Sequence, residues 1–318
     1  DAPGRRFKQA LLERADAGVK VYIIYDRLGN TFYSSRAFKR FPDLPSLHVL
    51  SYRSLSHPWH LIDLRRIARD HRKLLVVDDQ TGFVGGYNIS AQWLLWRDTH
   101  LELHGPPVAD LAAAFVGFWN RERAGLRRLD PPDRGWEARV RVHVNDARSL
   151  SFPIRALYLA AIERARRHIW LTTAYFVPDG ALLGALSRAA RRGVDVRVLL
   201  PWRSEHLSAD LLSRRRFAGL LAAGGRIFGY CGPILHAKTL TIDGEWSTVG
   251  TANIDRLSLL GNHEINVELF SPGLATQLEA IFLRDAERAI EITAAAWARR
   301  SPLERLAELA AAPLWPFV

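Results

Sequence analysis

The 318-residue chain has no methionine, one cysteine (Cys231) and only five lysines: Lys8, Lys20, Lys39, Lys73 and Lys238. A single cysteine excludes an internal disulfide framework, so an apolar core must hold the fold. With 48% hydrophobic residues the chain is long enough for a large core, and two domains are expected at this length. No run reaches the ~18 apolar residues of a membrane-spanning helix. The C-terminal "LAELAAAPLWPFV" is too short and holds two prolines, and no signal peptide is visible. What the chain has in plenty is arginine. Lys plus Arg is 44 against 33 acidic residues, a formal charge of +11, and with five lysines the other 44 − 5 = 39 are arginines. Such a balance suits an anionic partner (nucleic acid, an anionic membrane or a phosphorylated substrate) without choosing among them. In a chain that uses arginine for nearly every positive charge, a lysine at a repeated position carries information.

Two lysines sit in such a repeat. Residues 71–90, "HRKLLVVDDQTGFVGGYNIS", match 236–255, "HAKTLTIDGEWSTVGTANID", without gaps, and His and Asn are 17 residues apart in both. "LLERADAGVKVYIIYD" (11–26) resembles "LSRAARRGVDVRVLLP" (186–201), each reading as a helix end, a glycine cap and a buried strand. Asp98 follows His71 by 27 residues, and Glu264 follows His236 by 28. Helical text follows each copy, at 108–122 and 274–287. The chain therefore reads as two homologous α/β halves, 1–136 and 137–318, joined near "RLDPPDRGWE" (128–137), with "EARVRVHVND" (137–146) as the first strand of the second. The second half also contains a helix (153–168) and a strand (169–176) for which the first half has no text. A sheet lacking a strand exposes unpaired backbone, so the repeat predicts at least a helix and a strand upstream of Asp1, with real asymmetry between the halves as the plainer alternative.

Each motif reads as a strand that begins at its histidine, and on a strand residues i and i+2 share a face, which puts His71 beside Lys73 and His236 beside Lys238. Ammonium groups and few carboxylates make poor metal sites. Two imidazoles, two lysines and two asparagines converging on one point suit a phosphodiester. Lys73 and Lys238 would neutralise its non-bridging oxygens, and Asn88 and Asn253 would donate hydrogen bonds to them. One histidine would attack phosphorus while the other protonates the departing alcohol and deprotonates the incoming one. A nucleophilic imidazole needs an acceptor on its far nitrogen, and Asp98 and Glu264 are the candidates. Asp78 and Asp243 close the strands and are expected to brace the motifs through hydrogen bonds. Gly85, Gly86 and Gly250 would let backbone approach the site. The plainer alternatives are a solvated strand edge for each motif and surface salt bridges for Asp98 and Glu264. The exact repetition, using two of five lysines, argues against the first. "HPWH" (57–60) and its neighbouring arginines read as an ordinary loop.

The doubled His-x-Lys-x4-Asp with a trailing Gly-x-x-Asn resembles the phospholipase D superfamily. Its context ("TTAYFVPDGALLGAL", "NHEINVELF") is most similar to bacterial cardiolipin synthases. The resemblance implies an α/β fold of two homologous phospholipase D-like domains related by a pseudo-twofold. Each would be a mixed β-sheet flanked by helices, with the active site at their junction. It implies phosphatidyl transfer through phosphohistidine, without metal or cofactor, His71 attacking and His236 serving as acid and base. The implied partners are phosphatidylglycerol, an anionic phospholipid, and the membrane surface, with no nucleic acid. The implied place is the bacterial cytoplasmic membrane, held peripherally or by an N-terminal segment absent from this chain. Two positions depart from the family pattern. Thr251 stands where serine is usual, and His263 stands where an aromatic residue usually precedes Glu264. Two other readings stay open: a phospholipase D-type hydrolase of lipid or nucleic acid, which the ten tryptophans and basic charge allow, and a membrane-surface module with idle motifs.

Overall fold

The computed structural model describes residues 1–27, 34–52, 68–123, 125–133 and 138–317. The "HPWH" segment and residues 134–137 of the expected joint lie outside them. The first half contains α1 (Ala2–Asp16), β1 (Val21–Asp26), β2 (Leu47–Tyr52), β3 (Leu74–Val77), β4 (Thr81–Gly85), α2 (Ala91–Leu94), β5 (His100–His104) and α3 (Val108–Glu122). The second begins with β6 (Val140–Asn145), α4 (Pro153–Arg164), β7 (His168–Thr172), α5 (Gly180–Arg191), β8 (Asp195–Pro201), α6 (Leu207–Ala222) and β9 (Arg226–Tyr230). It continues with β10 (Thr239–Ile242), β11 (Trp246–Gly250), α7 (Arg256–Leu260), β12 (Glu264–Phe270), α8 (Pro272–Ala286) and β13 (Ala289–Ile292). Helices α9 (Ala294–Ala298) and α10 (Pro302–Ala310) and a 3-10 turn, Ala312–Phe317, follow.

Local chemistry sets these boundaries. The Asp179, Asp255 and Ser271 side chains each accept a backbone N–H in the first turn of α5, α7 and α8. After α1 and α5 the chain reverses through Gly18 (φ +87°) and Gly193 (φ +89°), a left-handed conformation that glycine adopts without steric cost. The helix expected over 153–168 stops at Arg164. The reason lies in the second motif: the Asp243 carboxylate accepts the N–H groups of Arg166, Arg167 and His168 at 2.7–2.9 Å, which takes them out of a helical ladder. The following strand accordingly spans His168–Thr172 rather than 169–176.

The second half forms one eight-stranded mixed sheet, ordered β13-β9-β8-β7-β10-β11-β12-β6. β7, β8 and β9 run parallel, and the remaining pairs are antiparallel. β6 joins it against β12, as the strand-like text at 137–146 predicts. Helices α4, α5 and α6 cover one face, where Ile169, Val196 and Val198 meet Leu182 and Leu186. The first half repeats this order in two pieces, a parallel β1-β2 pair and an antiparallel β3-β4-β5 sheet. Among the described residues no strand lies between β1 and β3, the place that β7 occupies between β8 and β10. A shared core joins the halves: Val84, Leu103, Val108 and Leu111 pack against Ile265, Val267 and Leu269 of β12.

Candidate active site

Both histidines lie just before their strands, in extended segments ahead of β3 and β10, and each segment is tied to the opposite half. The His71 N–H donates to the carbonyl of His263 at 3.0 Å, beside a parallel bridge between Asp70 and His263. The His236 N–H donates to the carbonyl of Arg97 at 2.8 Å, beside a parallel bridge between Leu235 and Arg97. The residue after each bridging partner is an expected acceptor, so the pairing is crossed. His71 Nδ1 lies 3.0 Å from both oxygens of Glu264, and His236 Nδ1 lies 2.8 Å from Asp98 Oδ2. A carboxylate at Nδ1 keeps the proton there and leaves the Nε2 lone pair free to attack or take a proton.

The carboxylates are themselves held. Glu264 is fully buried and accepts the Thr251 hydroxyl at 2.5 Å, so the threonine found where serine is usual performs a hydroxyl's task. Asp98 accepts the Thr99 N–H at 2.7 Å. At Gly86, the position matching Thr251, a Cβ would stand 2.1 Å from Asp98 Oδ1, so only glycine leaves room for this carboxylate. Gly250 serves a different neighbour, because a Cβ there would meet Asn266 rather than a motif residue.

Each lysine turns back on its own histidine. Lys73 Nζ donates to the His71 carbonyl at 2.8 Å, and Lys238 Nζ donates to that of His236. Burial pushes the Lys238 ammonium down to about 7, with Lys73 adding to the fall against the pull of Asp98 and Glu264. Lys73 is lowered by burial too, against the same two carboxylates, so the two motifs share one electrostatic site. Burial, then the Lys238 charge, push the His236 imidazole down to about 3 over the opposing pull of Asp98. Burial raises Asp98, but the His236 hydrogen bond and Lys238 outweigh it and hold the carboxyl below its ordinary value. Asn253 is buried, and among the described residues its amide oxygen has no hydrogen-bond partner, a cost that a bound donor such as a substrate hydroxyl would relieve. Asn88 is half-buried.

The two motif aspartates stand at the far ends of β3 and β10, in turns with φ of +53° and +58°. Asp243 braces the start of β7 through the three N–H groups described above, and these hold its carboxyl low against burial. Asp78 departs from expectation. It is exposed, and among the described residues no hydrogen bond braces its side chain and no strand start beside β3 matches the one that Asp243 holds. Two neighbours escaped sequence reasoning. The Trp96 ring lies 5.1 Å from that of His236. His100, packed against Gly85 and stacked on Tyr87 at 5.2 Å, carries a buried Nδ1 without a hydrogen-bond partner among the described residues. Their only signal was the text "WRDTHLE" around Asp98. Among the described residues no three His, Cys, Asp or Glu side chains gather as a metal-binding group.

Two α/β halves related by a pseudo-twofold, with paired His-Lys segments meeting at their junction, define the phospholipase D superfamily. The family profile described as "Cardiolipin synthase, PLD-like domain" matches residues 2–119 and 158–286, and the chain belongs to that family. A cardiolipin synthase of Staphylococcus aureus is 33% identical over 315 residues, covering 95% of this chain and 63% of the relative. One from Listeria monocytogenes is 33% identical over the same length, covering 95% and 64%. The chain thus spans just under two thirds of these curated relatives. The solved phosphatidylserine synthase of Haemophilus influenzae shares the fold, with a TM-score of 0.68, 12% identity, and coverage of 100% of this chain and 88% of that one.

Proposed function

We propose that the protein transfers a phosphatidyl group between phospholipids through a phosphohistidine, converting two phosphatidylglycerols to cardiolipin and glycerol. The observation that carries this reading is the crossed pair of buttressed histidines, each with its lysine, in one electrostatic site. His71 Nε2 attacks phosphorus, forming a P–N bond as the P–O bond to glycerol breaks, and the His236 imidazolium gives its proton to the departing glycerol oxygen. The hydroxyl of a second phosphatidylglycerol then gives its proton to His236 and attacks phosphorus, and the P–N bond breaks to free His71. Lys73 and Lys238 balance the charge on the non-bridging oxygens. His236 is neutral in the empty site, so it takes up a proton from solvent as the substrate binds, whose negative charge favours the imidazolium. The membrane surface is the place of reaction, with the protein held peripherally or by a segment outside this chain.

One observation favours the exchanged roles. The His71 side chain is 31% exposed and that of His236 is 9% exposed, which gives His71 the easier access to a departing alcohol. Labelled phosphate trapped on the protein, lost in His71→Asn and kept in His236→Asn, supports attack by His71, and the opposite pattern exchanges the roles. The reaction itself is tested with headgroup- and acyl-labelled phosphatidylglycerol. Cardiolipin plus glycerol is the expected result. Phosphatidic acid alone would make the protein a hydrolase, and cleavage of single-stranded DNA without lipid turnover would make it a nuclease.

A further inference from the structure

Helix α10 faces the wrong way for a helix whose apolar side packs on its own protein. Leu303, Leu306 and Leu309 recur at i, i+3 and i+6, on one stripe, and are 77%, 62% and 60% exposed. The one buried residue of the helix is Glu308, 3% exposed, so a carboxylate points in and the leucines point out. This orientation is locked. Arg300 Nε and Nη2 hold the two Glu308 oxygens at 3.2 and 3.3 Å, and Arg215 donates to the Glu308 carbonyl at 3.2 Å. A capping box between Ser301 and Glu304 fixes the start of the helix, and Ala311 packs with Val177 and Leu212 at its end. Rolling the leucines inward would break the ion pair and leave a charge buried alone.

We infer that α10 docks on an anionic phospholipid bilayer, with the leucine stripe in the acyl boundary and neighbouring arginines on the headgroups. Charge selects this occupant. Arg299, just ahead of the helix, makes no ion pair among the described residues. Arg216 and Arg256 make none either and flank the Trp315 ring instead, at 5.9 and 5.1 Å. An exposed apolar stripe on a helix that follows the exposed Arg299, with the exposed Arg256 on the neighbouring α7, matches an anionic membrane surface. A second copy of the chain is disfavoured, because each copy carries +11. The helix is linked to the candidate site through the final 3-10 turn and α7. The final 3-10 turn packs on α7, whose first residue, Arg256, lies three positions beyond Asn253, and Leu257 and Leu260 of α7 are exposed as well. Docking through α10 would bring the junction of the halves to the lipid. The inference rests on the proposed reaction only for the identity of that lipid.

The test is co-sedimentation of the full chain with vesicles of phosphatidylglycerol and phosphatidylcholine in equal parts, and of phosphatidylcholine alone. Replacing Leu303, Leu306 and Leu309 by serine should lower partition onto the mixed vesicles by about tenfold or more. The melting temperature should hold, because the three side chains are exposed. Arg256→Gln with Arg299→Gln should weaken binding to the mixed vesicles and leave the weak binding to neutral ones unchanged. Turnover of a short-chain phosphatidylglycerol below its micelle concentration should survive the serine changes while turnover of vesicle lipid falls. Unaltered vesicle binding by the serine variant would overturn the inference, as would a wild-type dimer that the same changes convert to monomer. Lost binding in a protein that turns over no lipid would sink the proposed reaction and leave the docking surface standing.

Discussion

The two halves carry one motif in two settings. In the second, β10 is an interior strand, paired to β7 on one side and β11 on the other, and Asp243 pins the start of β7. In the first, β3 pairs with β4 and with no other strand among the described residues, and Asp78 is exposed. The histidines follow their sheets: His236 is buried against Trp96, and His71 is about a third exposed. The carboxylates differ too, Glu264 taking a hydroxyl from Thr251 where Asp98 takes a backbone N–H beside Gly86. A repeated sequence thus specifies a repeated constellation, while the surroundings make its two members chemically unequal.

That inequality can be broken or sharpened by experiment. The largest effect should come from removing either imidazole: His71→Ala and His236→Ala should each lower turnover by ~10³-fold or more, measured as cardiolipin formed per enzyme, because nucleophile and acid act as a unit. Equal loss in both would show that the unequal settings leave both groups indispensable. Next come the acceptors. Glu264→Gln and Asp98→Asn should each cost roughly 10²-fold in kcat by releasing the tautomer of the opposite half's histidine. Only the variant that releases the attacking histidine should abolish trapped label; if both or neither does, the crossed pairs do not divide the two roles.

The lysines predict a pH effect. In the proposed reaction Lys238 must be charged to balance the phosphodiester, and its ammonium lies at about 7 in the empty site. kcat/KM should therefore fall as pH rises through about 7. Lys238→Arg should remove that fall while lowering the plateau, because guanidinium keeps its proton but has a different shape. A profile unchanged by the substitution would assign the ionisation elsewhere. The smallest effects concern stability. Asp243→Ala should cost about 1–2 kcal/mol in a denaturant melt, since three N–H groups lose a charged acceptor, whereas Asp78→Ala should cost less than about 0.5 kcal/mol. In the wild type the Asp243 contribution is present above the ordinary carboxylate range and is lost as pH falls through its depressed value. Equal costs would mean that Asp78 has a brace of its own.

Much of this was legible because the motif repeats at fixed spacing. The halves, the convergence of His71, Lys73, His236 and Lys238, and the choice of Asp98 and Glu264 as acceptors all follow from matching positions and the needs of an imidazole. Which carboxylate serves which histidine did not follow, since spacing along one chain says nothing about how two halves dock. His100 and Trp96 were hidden for the same reason, as each is defined by a neighbour across a turn or across the junction. At Asp78 matched text carried the expectation of a brace that, among the described residues, Asp243 alone has. The helix over 153–168 was read too long because its end is set by a carboxylate 75 residues or more downstream.

The crossed bridges, Asp70 to His263 and Leu235 to Arg97, have a consequence for how the molecule can fail. Neither half holds its own histidine in working order, because each depends on the other for both a backbone anchor and a proton-holding carboxylate. If the proposed reaction holds, a molecule with one half unfolded should be silent rather than half as active. Catalysis would then double as an audit of folding, since only a chain that has closed both crossings could form the reactive bond.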